Sequence, residues 1–417
     1  MTSASAAPMD SRFISLDVVR GIAVMGILLM NIVAFSMPFQ AYGNPTAFGG
    51  DGPVDMAFWA TNFVLADGKM RGLFSILFGA SMLLVVQRAE AGGRSSALTH
   101  YARMTWLLFF GVIHAYAIWY GDILMLYAGV GMVAYFFRKM ETHKLVTLGI
   151  ILIVGQAILV GGITYSLWML REAASAPGAA VETAETWSKM AAAFGSPSPG
   201  QLAENLTLYR GSYAGILGQR LGPELMQPII GNFLFSLGTL GLMLLGMAGL
   251  KSGFLTGEWS REAYAKCVRY GYLIGLPIQM LLALLLMRSG FDPVSLWLYD
   301  ITLPMVPDLF IILGHAALIL YWVKSSAGSA FMARVAATGR AAFTNYLGTS
   351  LICTTIFYGY GFGFYGEFSR ASLYIVVPGV WALMLLWSKP WLDRFRYGPL
   401  EWLWRSLARR ELQPLRK

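Results

Sequence analysis

Long apolar stretches recur along nearly the whole chain, and each can cross a hydrocarbon core about 30 Å thick at about 1.5 Å per residue of helix. Hydrophobic residues make up 57% of the chain and charged residues only 13%, which is too apolar for a soluble protein of 417 residues. Because an unpaired backbone group is costly in lipid, the crossing segments should be helices. The sequence therefore predicts an all-α, polytopic transmembrane helix bundle.

We predict ten spans, and the positive charge between them gives their orientation. Short loops rich in Lys and Arg stay in the cytoplasm, and the basic residues cluster in every second loop and in the last tail. Both termini are therefore expected to be cytoplasmic. The net charge of +9 reflects this bias and does not indicate a nucleic-acid partner. The predicted spans are 18–37, 72–87, 104–120, 122–137, 145–169, 229–250, 268–288, 305–323, 341–361 and 372–388.

One further apolar stretch, residues 55–71, is too short and too interrupted to cross. If it crossed, every later loop would change sides and the basic loops would face outward. We therefore expect a re-entrant or interfacial helix on the outer side. The chain then divides into an N-terminal helix group (1–169), an extracytoplasmic loop (170–228), a C-terminal helix group (229–390) and a basic amphipathic cytoplasmic tail (391–417).

Polar residues inside the spans are the first candidates for function, because they are costly there and usually face the bundle interior. In the first span Asp17 and Arg20 share a face at the inner end, and Asn31 returns to the same face further along. These groups either contribute to a site or hold the bundle together through an ion pair and an amide hydrogen bond.

His114 lies near the outer end of the third span, and Asp122 begins the next span directly after Gly121. Along one continuous helix the two side chains would be about 12 Å apart and would point in different directions. Direct contact therefore needs a break at Gly121 or a helical hairpin that folds Asp122 back. The histidine is then either a hydrogen-bonded packing residue or a general base oriented by the carboxylate.

Two later spans carry further polar groups. Asp308 and His315 share one face of the eighth span, as a proton relay or as core residues. The ninth span has a polar wall, which suits either hydrogen bonds between helices or a wet cavity. The members of that wall considered as binding residues are Asn345, Tyr346 and Thr349.

Lys69 and Arg71 follow the re-entrant stretch and are expected to face outward, toward a substrate or a lipid headgroup. Stronger signatures are absent from the sequence. It contains no Gly-rich phosphate loop ending in Gly-Lys, no paired-histidine zinc helix and no Gly-x-Ser-x-Gly elbow. The sequence thus indicates neither a metal site nor a nucleophilic serine.

Five stretches spread over nearly the whole chain are distinctive: "LDVVRGIAVMGILLMN" (16–31), "GKMRGLFSILFGAS" (68–81), "GVIHAYAIWYGDILMLYAGVG" (111–131), "FTNYLGTSLICTTIFYGYG" (343–361) and "GPLEWLWRSL" (398–407). Together they resemble the YeiB-like proteins of the bacterial inner membrane, whose carboxy-terminal half is a domain of unknown function. The resemblance implies a multi-pass protein of that membrane. It does not imply an activity.

The first of these stretches is also similar to the opening helix of membrane acyltransferases. They include the carbohydrate O-acyltransferases of bacterial envelopes and heparan-α-glucosaminide N-acetyltransferase, which transfer an acyl group from acyl-coenzyme A to an acceptor sugar. The envelope enzymes carry a catalytic histidine where this chain has Asn31. The heparan enzyme uses a histidine in the loop that follows, but residues 32–70 contain none. In an acyltransferase of this kind His114 would have to take that role.

The first functional hypothesis is therefore a transmembrane acyltransferase with acyl-coenzyme A, for instance acetyl-coenzyme A, as donor. His114, oriented by Asp122, would act as general base or would accept the acyl group, and Asn31 would stabilise the oxyanion. Guanidinium groups bind phosphates well, and those expected to hold the donor are Arg12, Arg20 and Arg340. The residues expected to bind an outward-facing small-molecule or glycan acceptor are Asn345, Tyr346, Thr349, Lys69 and Arg71.

Two alternatives stay open. A transporter or flippase for an envelope precursor or small amphiphile would line its pathway with the same residues, and His315 and Asp308 would couple it to protons. A receptor or assembly protein would bind its partners through residues 170–228 and the tail. A homodimer is compatible with the small residues of the sixth span, which permit close helix contact between copies or within one chain; these are Gly241, Gly246 and Gly249.

Overall fold

The computed structural model describes residues 9–50, 52–326 and 328–417. The side chains of residues 9–13 lie outside the described part, and with them the predicted phosphate contact of Arg12. The described residues form helices and no β-strand. This agrees with the all-α prediction.

Long helices alternate with shorter ones along the described chain. The first half of the chain forms α1 (Met9–Ser36), α2 (Pro53–Leu65), α3 (Lys69–Ala91), α4 (Ser96–Ile113), α5 (Leu124–Ala134), α6 (Thr142–Ser175), α7 (Val181–Phe194) and α8 (Pro199–Tyr209). The second half forms α9 (Tyr213–Leu221), α10 (Gln227–Leu234), α11 (Ser236–Lys251), α12 (Arg261–Arg288), α13 (Pro293–Ser295), α14 (Pro307–Ser325), α15 (Ala330–Arg340), α16 (Ala342–Phe357), α17 (Arg370–Leu373), α18 (Val376–Arg394) and α19 (Pro399–Arg409). Two π-helical segments, His114–Ile118 and Leu296–Thr302, interrupt this pattern.

Six helical segments of the described chain are long and apolar enough to cross a membrane, and α10 with α11, bent by 53°, would make a seventh. The chain is therefore a multi-pass membrane protein. The other predicted spans, 104–120, 122–137 and 341–361, coincide with the shorter or less apolar helices α4, α5 and α16. The six segments are Ile14–Ser36, Pro53–Ala91, Thr142–Ser175, Arg261–Arg288, Pro307–Ser325 and Arg370–Arg394.

The stretch predicted as re-entrant forms α2 and the turn that leads into α3. Helices α2 and α3 together make one apolar stretch of 39 residues, about twice as many as one helix needs to cross a hydrocarbon core about 30 Å thick. Gly68 in the turn has φ +71°, and a Cβ there would lie 2.6 Å from Asp308 Oδ2. Only glycine therefore fits this turn without strain.

Helix α1 is at the centre of the bundle. It packs against α3, α14, α15 and α16. Of the residues in its most apolar 18-residue segment 78% are buried, compared with 22% for the peripheral helix α6. Polar side chains on α1 therefore face other helices rather than lipid.

The glycines of α11 allow it to pack closely on its neighbours. A Cβ at Gly246 would coincide with the Ile76 carbonyl oxygen of α3, and a Cβ at Gly241 would lie 2.6 Å from the Gly149 carbonyl oxygen of α6. A Cβ at Gly249 would meet the Leu255 side chain. The small residues considered for a dimer contact are thus occupied within one chain.

The last helix, α19, is docked on the end of the bundle at which α16 begins. Glu401 accepts hydrogen bonds from the backbone N–H groups of Phe343 (2.7 Å) and Thr344 (3.1 Å) and from the Thr344 hydroxyl (2.6 Å). These donors lie in the first turn of α16, so Glu401 satisfies orphan groups of that helix. Trp404 Nε1 donates to the Arg103 carbonyl of α4 (2.8 Å), and the Arg103 guanidinium lies 4.0 Å from the Trp404 ring centroid.

We expect the Gly246→Ala substitution to lower the free energy of unfolding by about 1–3 kcal/mol, because the new methyl group forces α11 away from α3. The control is Gly155→Ala on α6, where the added methyl meets no atom within 4 Å and should stabilise the helix by up to about 1 kcal/mol. Thermal unfolding of the detergent-purified variants measures both. Equal stability of the two variants would contradict the close α11–α3 packing.

Candidate active site

The chain breaks between α4 and α5, and the break brings His114 and Asp122 together. Residues His114–Ile118 form a π turn, Trp119 is extended, and α5 begins at Leu124. His114 Nδ1 consequently lies 2.8 Å from Asp122 Oδ1. A Cβ at Gly121 would overlap the Trp119 ring, so glycine is required where the chain folds back.

The second ring nitrogen of His114 binds Ser350 on α16. His114 Nε2 is 2.8 Å from Ser350 Oγ. Because Asp122 is an acceptor, Nδ1 carries the proton and Nε2 accepts from the Ser350 hydroxyl; these partners assign the tautomer. The other oxygen of Asp122 accepts from the Met125 backbone N–H (2.7 Å). The exposed fractions of His114 and Ser350 are 0% and 1%.

Serine, histidine and aspartate thus form one buried hydrogen-bonded chain, which we call the Ser–His–Asp chain (Ser350, His114, Asp122). A base that contacts a hydroxyl and is oriented by a carboxylate is the arrangement that activates serine nucleophiles. The low-dielectric surroundings strengthen each of its electrostatic interactions. His114 is therefore placed to take the proton of the Ser350 hydroxyl group.

A small cavity adjoins Ser350. Its volume is about 10 Å³, room for about one water molecule. Asn31 of α1 contributes an amide that makes no hydrogen bond to any described residue and is partly exposed to this space. Three predicted site residues, Asn31, Tyr346 and Thr349, therefore line the same cavity as Ser350. The other lining residues are Val24, Ile27, Leu28 and Phe35.

Tyr346 contacts both sides of the site. Its ring centroid lies 5.1 Å from that of His114. Its hydroxyl accepts from the Ile123 backbone N–H (3.3 Å) and donates to the Gly121 carbonyl (3.4 Å). Tyr346 thereby fixes the chain break next to the imidazole.

Asn345 is placed differently from the prediction. Its amide donates to the Thr338 carbonyl (3.0 Å) and to Ser388 Oγ (3.2 Å), and its oxygen accepts from Trp387 Nε1 (2.8 Å). These partners lie on α15 and α18, away from the cavity. The amide therefore joins helices and is not one of the groups that line the site.

Within the described structure, the partners of Lys69 and Arg71 do not include His114 or the residues that line the cavity beside Ser350. Lys69 Nζ lies 2.9 Å from Asp308 Oδ1 and donates to the Phe63 carbonyl (2.7 Å), so its charge is balanced. Arg71 lines a second cavity of about 80 Å³ between α3, α6, α11 and α14, and its guanidinium lies over the Phe235 ring.

The first turns of α1 carry the predicted donor-binding arginine. Arg20 Nη1 pairs with Asp17 Oδ1 (2.9 Å), and Nη2 donates to Ser81 Oγ (2.7 Å). Arg340, at the end of α15, is near enough for its charge to act on Asp17. Arg20, Arg340 and Asp17 thus form one cluster of charges at this end of the bundle, with one more positive charge than negative.

Asp308 and His315 share a helix but have separate partners. Asp308 binds Lys69 and accepts from Gln279 Nε2 (2.5 Å). His315 Nδ1 is 2.7 Å from the Tyr272 hydroxyl, and Nε2 is 2.9 Å from the Leu65 carbonyl oxygen. No hydrogen bond joins Asp308 to His315 in the part of the chain that the structure describes.

Comparison with known proteins places the chain in a family. The uncharacterized protein YeiB of Escherichia coli (strain K12) is 33% identical over 97% of this chain and 98% of its own length. The chain belongs to the YeiB-like family. The family model for a protein of unknown function, DUF418, matches residues 249–411, a range that includes Ser350 but not His114.

Two further YeiB-like relatives match over nearly full length. The uncharacterized protein YxaH of Bacillus subtilis (strain 168) is 32% identical over 96% of this chain and 95% of its own length. An uncharacterized 39.9 kDa protein of Bacillus acidopullulyticus is 22% identical over 96% of this chain and 94% of its own length. No solved structure matches the chain.

The two asparagines make a testable contrast. We expect Asn345→Ala to lower the free energy of unfolding by about 2 kcal/mol, because it leaves buried partners on α15 and α18 unpaired. We expect Asn31→Ala to change it by less than about 0.5 kcal/mol, since no hydrogen bond is lost. Chemical denaturation of both variants in detergent measures the difference. An equally large loss for Asn31→Ala would assign that amide a structural role.

Proposed function

We propose that this YeiB-like protein is a transmembrane acyltransferase that moves an acyl group from cytoplasmic acyl-coenzyme A to an extracytoplasmic hydroxyl or amine. The observation that carries the proposal is the buried Ser–His–Asp chain. A structural hydrogen bond could be made by many pairs of side chains, whereas this set supplies a nucleophile, a base and an orienting carboxylate in contact with one another.

In the first half of the reaction, His114 Nε2 takes the proton of Ser350 as Oγ attacks the thioester carbonyl carbon. The carbon–sulfur bond breaks, and the coenzyme A thiolate leaves with the proton from His114. The acyl group is then an ester on Ser350. Asp122 holds Nδ1–H and stabilises the imidazolium while it carries both protons.

In the second half, His114 takes the proton of the acceptor hydroxyl or amine, which attacks the ester carbon. The bond from that carbon to Ser350 Oγ breaks, and the proton returns to Oγ. The free amide of Asn31 is a candidate donor to the oxyanion in both halves.

The donor would enter from the end of the bundle that carries Arg20 and Arg340. These arginines would bind its phosphates there, and the thioester would reach about 17 Å along α1 to Asn31. The cavity at Ser350 has room for about one water molecule. Entry of the acyl group therefore requires side chains of α1 and α16 to move apart.

The same proposal includes a topology. We infer ten spans in the bacterial inner membrane, with both termini cytoplasmic and residues 170–228 outside. The basic loops support this orientation. Helices α4, α5 and α16 would then cross as short or interrupted spans, which is tolerated where the backbone is buried in protein.

A proton-coupled transporter is the second candidate. The cavity of about 80 Å³ beside Arg71 and Asp308 favours it, because a polar space within a bundle can belong to a pathway. In that case Asp308 and His315 would be essential, and Ser350 would not.

We expect wild-type protein mixed with acetyl-coenzyme A to release a burst of about one coenzyme A per chain and to acquire one acetyl group on Ser350. The variants Ser350→Ala and His114→Asn should slow the release by about a thousandfold or more, and by similar factors, because the residues act as one unit. Thiol detection and peptide mass spectrometry measure the two readouts.

The matched control is His315→Asn, a change of another hydrogen-bonded histidine within the bundle, which should keep the burst. If Ser350→Ala releases coenzyme A at the wild-type rate and His114→Asn does not, the acyl group passes directly from the donor to the acceptor without an ester on Ser350. Wild-type rates in both variants would refute the acyltransferase.

Reporter fusions test the topology. Green fluorescent protein fused after Lys417 should fluoresce, because it folds in the cytoplasm. Alkaline phosphatase inserted at Gly178 should be active, and the same insertion between α11 and α12 should be inactive. The reverse pattern of phosphatase activity would contradict the proposed orientation.

A further inference from the structure

Four buried polar atoms without a hydrogen-bond partner lie on three residues that contact the π turn of His114 or one another. They are Trp119 Nε1, the Tyr358 hydroxyl, and Nε and Nη2 of Arg220. Buried polar groups in native proteins are nearly always paired. A cluster of unpaired ones within the described structure therefore points to a group that the protein binds there.

The arrangement around Arg220 is an aromatic cage, which we define as Trp119, Tyr120, Tyr209, Arg220 and Tyr358. The Arg220 guanidinium lies 5.9 Å from the Tyr358 ring centroid, and the Tyr358 and Tyr209 centroids are 5.0 Å apart. The Trp119 and Tyr120 centroids are 5.5 Å apart. The Tyr358 ring thus faces the Arg220 cation, and the Tyr209 ring packs beside it.

Arg220 is 3% exposed, and no carboxylate of the described residues forms an ion pair with it. Its Nη1 donates to the Tyr116 carbonyl (3.4 Å), which leaves Nε and Nη2. The nearby Glu224 instead accepts from Gln219 Nε2 (3.2 Å). A buried guanidinium with two free N–H groups is suited to a carboxylate or phosphate, which it can bind with two parallel hydrogen bonds.

The cage adjoins the site. The Trp119 ring centroid lies 6.2 Å from that of His114, and the Trp119 backbone N–H donates to the His114 carbonyl (2.7 Å). Trp119 also stacks on Phe35, with ring centroids 4.0 Å apart, and Phe35 lines the cavity beside Ser350. Trp119 and Phe35 thus connect the cage to the cavity beside Ser350.

Helices α8 and α9 cover the cage. The Tyr213 hydroxyl of α9 donates to the Ala117 carbonyl (2.8 Å), and the Tyr116 hydroxyl donates to the Leu225 carbonyl (2.7 Å). These bonds hold the cover on the π turn that carries His114. The cage atoms are enclosed in this form, and α8 and α9 themselves carry Tyr209 and Arg220. A ligand therefore enters when these helices move away from the π turn, and the cage closes around it when they return.

We propose that the cage binds the acceptor, and that the acceptor is a hydroxylated ring compound carrying a carboxylate or phosphate. Arg220 and the Tyr358 hydroxyl bind the anionic group, the aromatic faces contact the ring, and a hydroxyl is left to reach His114. The role of this ligand as an acceptor rests on the proposed acyltransferase activity, whereas its binding to the cage does not require that activity.

The test measures binding by calorimetry to full-length, detergent-purified Ser350→Ala protein without any donor. The probes are glucose 6-phosphate, glucuronate, neutral glucose and inorganic phosphate. We expect glucose 6-phosphate or glucuronate to bind at least about tenfold more tightly than glucose, since a charge-assisted pair contributes that much. Which of the two binds identifies the anionic group.

The variants separate binding from folding. Arg220→Met should abolish binding without lowering the thermal unfolding temperature of the ligand-free protein, because removal of a buried charge that has no ion pair offsets the loss of its long hydrogen bond to the Tyr116 carbonyl (3.4 Å). Tyr358→Phe should weaken binding about fivefold or more and also leave that temperature unchanged. The control Tyr365→Phe loses a hydrogen bond to Asn205 (2.9 Å); it should unfold earlier and bind as before.

Several results would overturn the assignment: no binding of either anionic sugar, equal binding of glucose, binding of inorganic phosphate as tight as that of the sugars, or an Arg220→Met variant that unfolds earlier and still binds. Failure of Ser350 acylation together with intact anionic binding would refute the acyltransferase and leave the cage as a ligand site.

Discussion

The hydrogen bond between His114 and Ser350 joins parts of the chain that are 236 residues apart. It ties the α4–α5 hairpin to α16, and Asp122 completes it from the other side. Loss of either partner would leave a buried polar group unpaired, which is costly inside a membrane bundle. The chain break, the glycine at its turn and the Tyr346 contacts all serve to keep the imidazole between these two partners.

The sequence was sufficient for the fold where helices are long and uniformly apolar. Six of the predicted spans coincide with such helices, because hydropathy over a long window averages out local detail. It was less informative for α4, α5 and α16, which are shorter and carry the polar residues of the site. Contact between His114 and Asp122 required either a break at Gly121 or a helical hairpin that folds Asp122 back. The structure has the break.

The site residues were predictable only in part. Helical periodicity shows which residues share a face of a helix, but it does not show which other helix packs against that face. Tyr346 and Asn345 are adjacent, yet one contacts His114 and the other joins α15 and α18. Ser350 lies within the ninth predicted span, but the sequence around it has no local signature of a nucleophile. Arg220 lies in the long segment 170–228, where the surroundings that bury it come from distant parts of the chain.

The cap on α16 has a consequence for how the protein is made. Glu401 reaches the first turn of that helix from a position 58 residues later than Phe343. During synthesis, α16 is therefore made before the carboxylate that satisfies its first N–H groups. The same late helix also docks on α4. Since α4 leads to His114 and α16 carries Ser350, the two halves of the candidate site acquire their common brace only after α19 has been made.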